Sequence, residues 1–369
     1  MDEVNRLSNE ELELYSRQLV LDEIGYEGQL KLREGRILLA GAGGLGSPIA
    51  LQLVAMGVGY LRIVDRDVVS MSDLHRQYLY DVNSVGLPKV EVAASKLSTL
   101  NPKVEIDPIP ISIKSWNVKD LVKDVEVVID GLDSIEARYL INRACVREEI
   151  PYVYGGAVET HGNVSTIIPG ETPCLECFNP NLRDRDLPKC AIVGVYTPVL
   201  GVTASIEVSE AVRILTGKGP KLAGKLLYID ASELFFDEVS IAKYERCPVC
   251  GRSPKEPTPL GEELVEEQCS RNGKRTIIVT PKRWLNINLE EALDKLNRLG
   301  YLMERRGRFG LTSKNEEGIA ISLLKTGVAI FQIPKMSRSL EVRNEVVALY
   351  KELLVDELKI PAEALPHPY

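Results

Sequence analysis

Short apolar runs recur along the first half of the chain, each followed by a turn and then a stretch of helical spacing. Residues 36–40, Arg-Ile-Leu-Leu-Ala, form such a run, as expected for a parallel strand buried on both faces. A glycine-rich turn follows, and helical spacing sets in from Pro48 to Met56. The pattern then predicts a strand over 61–64 ending on Asp65, a helix over 89–100 and a strand near 104–109. A buried run at 125–129 leads into Asp130, Gly131, Leu132 and Asp133, with a helix starting near Ser134. Strands are expected between 152 and 168, and a long apolar helix over 197–216. Such alternation predicts an α/β fold with a doubly wound, mostly parallel sheet. Ahead of it, Ser8, Asn9, Glu10 and Glu11 read as a capping box opening a helix that runs to about Ile24.

The pattern changes after the midpoint. Residues 251–269 carry Pro254, Pro257 and Pro259 among charges and read as a linker. It divides a first domain, 1–250, from a small C-terminal α+β domain, 270–369. There the spacing predicts strands at 276–279, 319–324 and 328–333, a helix over 289–299 stopped by Gly300, and a last helix over 340–354.

Composition narrows the class. At 44% hydrophobic and 27% charged, the 369-residue chain reads as an ordinary globular protein. No apolar run approaches the roughly 20 residues needed to cross a bilayer, and the start, Met1-Asp2-Glu3, is unlike a secretory signal. A cytoplasmic location is therefore expected, with no membrane partner. The net charge of −8 is uneven: residues 270–369 hold 17 Lys/Arg against 12 Asp/Glu, leaving −13 for residues 1–269.

The residues that carry chemistry lie mostly in the first domain. Gly41, Gly43, Gly44 and Gly46 form a G-x-G-x-x-G turn between strand and helix, where backbone amides and the helix N-terminus favour phosphate. Asp65 ends the next strand, placed to accept hydrogen bonds from ribose hydroxyls. Those features alone fit any nucleotide. Arg76 and Lys89 lie downstream, and two cations suit a triphosphate and its departing pyrophosphate better than a nicotinamide. Two Cys-x-x-Cys pairs, Cys174/Cys177 and Cys247/Cys250, stand about 70 residues apart; four thiolates in two such knuckles suit a closed, structural zinc site. Cys145 reads as core, and Cys269 has no assignable role. Cys190 follows the charged stretch 179–189 and precedes a helix start, where Lys189 and the helix dipole favour thiolate. Of His75, His161 and His367, none has ligand or triad spacing; His161 reads as capping a turn before Gly162.

With these motifs in view, residues 10–250 resemble the ubiquitin-activating-enzyme-like adenylyltransferases, the MoeB, ThiF and HesA family with the archaeal activators of small ubiquitin-like modifiers. The resemblance rests on Tyr15-Ser16-Arg17-Gln18, the glycine loop, Asp65, Leu74-His75-Arg76-Gln77, Pro88-Lys89, Asp130-Gly131-Leu132-Asp133 and both cysteine pairs. Asp73 stands where bacterial relatives often have Asn. The resemblance implies a Rossmann-like adenylation domain that uses ATP and Mg2+ to adenylate the C-terminal glycine of a ubiquitin-like modifier or sulfur-carrier protein. By the same resemblance Gln77 lines the nucleotide site with Arg76 and Lys89, Asp133 matches the magnesium-linked aspartate, and Arg17 matches an arginine that reaches the neighbouring subunit's phosphates, so a homodimer is expected. Cys190 matches a cysteine that in some relatives takes up the activated acyl group, although the Ala-Ile-Val-Gly that follows departs from the run in those relatives. An alternative on the same fold is an ATP-dependent dehydratase acting on a modified transfer-RNA base. Arg305, Arg306 and Arg308 would suit phosphate there, but no motif calls for nucleic acid.

Overall fold

The computed structural model describes residues 6–184, 193–254, 259–260, 263–269, 275–334 and 341–366. An eight-stranded sheet is built from β1 (Arg36–Ala40), β2 (Tyr60–Val64), β3 (Glu105–Ile109), β4 (Val127–Asp130), β5 (Tyr152–Val158), β6 (His161–Ile167), β7 (Lys225–Asp230) and β8 (Phe235–Ser240). Its order is β3-β2-β1-β4-β5-β6-β7-β8. From β3 to β5 neighbours run parallel, and from β5 to β8 they run antiparallel. The chain reverses its direction of travel across the sheet between β1 and β4, the crevice where open α/β sheets take their ligands.

Period-two alternation divides the strands between two cores. Ile37 and Leu39 of β1 join one apolar cluster, while Leu38 and Ala40 join the other. Helices α1 (Asn9–Leu14), α2 (Ser16–Leu19), α3 (Gly25–Glu34), α4 (Gly46–Met56), α5 (Lys89–Leu100), α6 (Ile135–Arg147) and α7 (Thr197–Thr216) surround the sheet. Residues of α4, α5 and α7 fill the first cluster, and Ile135, Tyr139, Ile141 and the wholly buried Cys145 of α6 fill the second. Burial pushes the Cys145 thiol well up, as its role as core requires.

A second sheet is antiparallel throughout, with strands β9 (Val265–Cys269), β10 (Arg275–Val279), β11 (Leu302–Arg306), β12 (Gly310–Lys314), β13 (Ala320–Leu324) and β14 (Ala329–Ile333) in the order β11-β12-β13-β14-β10-β9. With α8 (Leu289–Arg298) and α9 (Glu341–Lys351) it encloses its own core around Ile277, Leu323 and Phe331. Its opposite face joins the first domain, because Ile278, Leu324, Val328 and Ile330 belong to the cluster that holds Leu38 and Tyr139.

Several sequence expectations shift here. The helix expected to reach Ile24 stops at Leu14, because the Tyr15 ring packs onto Gly57 and its hydroxyl accepts from Asn101 Nδ2 at 2.8 Å. Helix α3, beyond the expected stretch, was not anticipated. The segment read as a linker contains β9, paired along its length with β10. His161 opens β6 beside Asp230, at 3.4 Å, in place of the turn expected of it. The strands β7, β8, β11 and β12 lacked an apolar alternation strong enough to read; β8 and β11 are exposed at every position. Among the described residues no helix is long and apolar enough to cross a membrane.

Candidate active site

The glycine loop lies at the sheet's reversal point because β1 delivers it there and Gly131, following β4, closes against it. Gly41 has φ +94°, a left-handed backbone, and a Cβ there would stand 2.4 Å from the Gly131 carbonyl oxygen. A Cβ on Gly46 would lie 2.0 Å from the Gly41 oxygen, so α4 could not start so close to the loop with any larger residue. Gly43 is different: its nearest neighbour is the Gln77 amide nitrogen at 3.9 Å, so the missing side chain leaves open space above the loop.

Around that space the polar groups converge. Asp65 accepts from the Ala42 amide at 2.8 Å and the Asp67 amide at 2.7 Å, which fixes its carboxyl beside the loop. Burial pushes its pKa up to about 6; Lys89 opposes the shift and Asp67 adds to it. Lys89 is buried, and its ammonium donates to Asp67 at 3.0 Å with Asp73 at 3.9 Å. Burial alone would lower the lysine pKa, but attraction to Asp67, then Asp73 and Asp65, raises it well above its ordinary value. Asp67 is held below the usual carboxylate range because Lys89 and then Arg66 outweigh its burial. The site thus keeps a permanent buried cation among three acids.

Arg76 approaches Asp73 at 3.3 Å and also donates to the Ser72 carbonyl. Gln77 donates to Asp73 at 3.0 Å, while its buried Oε1 has no donor among the described residues. Tyr80 closes the back of the loop, donating its hydroxyl to the Ala42 carbonyl at 2.8 Å. An open cradle, a fixed carboxylate, a buried lysine and an orphaned acceptor fit a nucleotide with its phosphates over the loop.

Asp133 is exposed just beyond β4, on the same crevice. Beside it Ser134 caps α6, and Asp184 accepts from the Ser134 hydroxyl and the Ile135 amide, both at 2.7 Å. Behind the crevice, Asp130 is wholly buried, bound by Arg138 at 3.0 Å and by the Tyr152 hydroxyl at 2.5 Å. Glu207 of α7 packs its carboxyl against Gly155, fully buried, and neither oxygen has a partner among the described residues. Burial, then Asp130, raises its pKa well above the ordinary value, with Arg138 opposing the shift.

Arg17 stands apart. Its helix α2 packs at the far end of α4, where Gln18 donates to the Met56 carbonyl at 2.9 Å. The glycine loop is at the other end of that helix, about 15 Å away along its axis, and Arg17 is exposed. Cys190 lies outside the described residues. The four paired cysteines do meet: Cys174 and Cys247 sulfurs are 3.7 Å apart, Cys177 and Cys250 3.4 Å, and all four sulfurs lie within 4.8 Å of one another. Four half-buried or buried thiols converging from two turns form a group that could hold a metal ion, and the donor set is the one zinc takes in closed sites.

Sequence reasoning missed Asp67 and Asp73 as the acids that hold Lys89, although both stand in the run after Asp65. It also missed Glu207, for which nothing in a helical pattern signals an unpaired acid.

Fold and site together define a protein of the doubly wound class with an open glycine loop beside a buried lysine at the sheet's reversal point. More specifically, the chain belongs to the ThiF family, whose model matches residues 15–249. It is 39% identical over 242 residues to the SAMP-activating enzyme E1 of Haloferax volcanii, covering 65% of this chain and 89% of that one. It is 38% identical over 255 residues to the sulfur carrier protein adenylyltransferase of Thermus thermophilus, covering 68% and 94%. Among solved structures it superposes on E. coli MccB with a TM-score of 0.59 at 22% identity, over 65% of this chain and 75% of that one, a likeness of fold.

Proposed function

We propose that this protein adenylates the C-terminal glycine of a ubiquitin-like modifier or sulfur-carrier protein with ATP. The observation that carries the reading is Lys89, a buried ammonium held by Asp67 and Asp73 beside an open glycine loop. Two of the relatives are named for activating a SAMP and for adenylylating a sulfur carrier.

In this reading the partner's terminal carboxylate attacks the α-phosphorus of ATP. A carboxyl oxygen–phosphorus bond forms, the bond to the bridging oxygen of the β-phosphate breaks, and pyrophosphate leaves with the electron pair. The loop amides hold the phosphates and Asp65 holds the ribose. Lys89 and Arg76 stabilise charge as it builds on the departing phosphates, where a fixed cation in a water-poor site is most effective. Asp133 would hold Mg2+, which neutralises phosphate charge when bound. Arg17 lies too far from its own loop to take part, so it would serve the loop of a second copy in a homodimer. The four cysteines would hold zinc, tying the turn at Cys174 to that at Cys247. Cys190 would accept the acyl group from the adenylate, releasing AMP.

ATP–pyrophosphate exchange tests the reading, run with candidate ubiquitin-like partners and with partners lacking the last glycine. Exchange is expected only with the intact tail, and exchange indifferent to that tail overturns the proposal. In a Cys190→Ala variant exchange is expected to survive while any covalent adduct with the partner is lost.

A further inference from the structure

The seam between the two sheets opens into a cleft of about 720 Å³, walled on one side by α5 and β3 and on the other by the C-terminal domain. Through Asn286, Arg308 and Lys325 it joins a second hollow of about 400 Å³ at the start of α8. No group assigned to the glycine-loop site lines either space.

The cleft is preformed. Glu91 of α5 accepts from the backbone amides of Arg308 and Phe309 at 2.6 and 2.9 Å, and Thr326 donates to the Pro110 carbonyl at 2.5 Å. Pro108, Ile109 and Pro110 give an apolar floor. Two rings border it: Phe309 and the half-exposed Trp284.

Its charges are unbalanced once existing partners are counted. Asp107 on the floor is held by Arg62 at 3.0 Å and Tyr60 at 2.5 Å. Glu290 is paired with Arg306 at 2.9 Å, and Glu91 is occupied by its two amides. Arg308 and Lys325 have no acidic partner within 4.0 Å among the described residues. The Arg308 guanidinium stacks 5.2 Å above the Phe309 ring, which presents it toward the junction of the two hollows.

We propose that this cleft is a second nucleotide site, distinct from the glycine loop, in which a base stacks against Trp284 and Phe309 while phosphate meets Arg308 and Lys325. The size is that of small-ligand pockets, and aromatic faces with free cations are the pair of features that stacking recognition of nucleotides uses. The nucleotide is either free or part of an RNA strand.

The test uses the full-length protein with Trp116→Phe, which leaves Trp284 as the one tryptophan of the two in the chain. UMP or a uridine trinucleotide is titrated while tryptophan emission is followed; Trp284 lines the cleft and not the glycine loop, so its emission reports on the cleft. Saturable quenching is expected, weakened about tenfold or more in Arg308→Ala/Lys325→Ala, which lacks both charged contacts to phosphate. Pyrophosphate exchange in that double variant stays within about twofold, because neither residue touches the glycine-loop site. Quenching by UMP assigns a free nucleotide, and quenching by the trinucleotide alone assigns a strand. No saturable quenching by either, or equal affinity in the double variant, overturns the proposal.

Discussion

At the scale of single residues, the site is organised by where charge is allowed to persist. Lys89 is a buried cation that its acids keep protonated, so its contribution does not fade at working pH. Lys89→Ala takes the salt-bridge partner from Asp67 and leaves Asp73 with Arg76 alone. Pyrophosphate exchange is expected to fall by about 100-fold or more, and thermal unfolding of the variant shows whether stability falls with it. Asp65 behaves oppositely. Its folded pKa, near 6, is above the ordinary carboxylate value, so below that pH it is protonated and loses the charge that strengthens hydrogen bonds from ribose. ATP affinity measured by calorimetry should therefore weaken as pH falls through about 6, and Asp65→Asn should remove that dependence. Glu207 gives a third pH signature. Because its folded pKa is raised, its ionisation costs stability progressively as pH rises above the ordinary glutamate value. Glu207→Gln has no such cost, so its melting temperature should gain on the parent protein with rising pH; a constant difference would mean that a partner satisfies the carboxylate.

At the scale of elements, the C-terminal sheet reaches into the nucleotide site. Glu266 of β9 holds Arg66 through two hydrogen bonds of 2.6 and 2.7 Å and Lys114 through one of 2.9 Å. Arg66 sits between Asp65 and Asp67 in sequence, so β9 steadies the strand end that carries both acids. Burial alone would raise the Glu266 pKa, but Arg66 and then Lys114 bring it down to about 2. The bridge accordingly contributes its full stability above the ordinary glutamate value and loses it as pH falls toward 2. Thr312 of β12 adds a bond to the Gly86 carbonyl at 2.7 Å, just ahead of Lys89. Glu266→Gln removes one member of a largely buried ion network and should cost about 3–5 kcal/mol in denaturant unfolding, with a weaker hold on ATP. The cysteine cluster makes a similar claim for the far side of the domain: if it holds zinc, a strong chelator should lower the melting temperature and added zinc should restore it.

At the scale of the whole molecule, what was legible in the sequence followed the strength of local signals. The parallel strands β1, β2 and β4 are short, mostly apolar runs, and Gly41 to Gly46 and the cysteine pairs have fixed spacings, so the first domain and its loop could be read directly. Strands β8 and β11 are exposed throughout and carry no alternation. The break at Tyr15 comes from a contact with Gly57, 42 positions along the chain, which no local window contains. The pairing of β9 with β10 likewise placed a strand inside what its prolines and charges marked as linker. In the proposed mechanism Arg17, which lies far from its own loop, serves the loop of a second copy. Mixing an Arg17→Ala protein with a Lys89→Ala protein should restore up to about a quarter of the exchange activity, through mixed dimers that hold one intact site; no recovery on mixing would contradict a role for Arg17 in the partner's site, and full activity of Arg17→Ala alone would place it outside catalysis.

The most direct measurement is the intact mass of a ubiquitin-like partner after incubation with ATP, Mg2+ and this protein in its Cys190→Ala form. The partner should gain the mass of one AMP, released by mild base, and should gain nothing with the Lys89→Ala protein or without its terminal glycine. An unmodified partner despite confirmed ATP binding, or an AMP adduct that forms equally well with Lys89→Ala, contradicts the account.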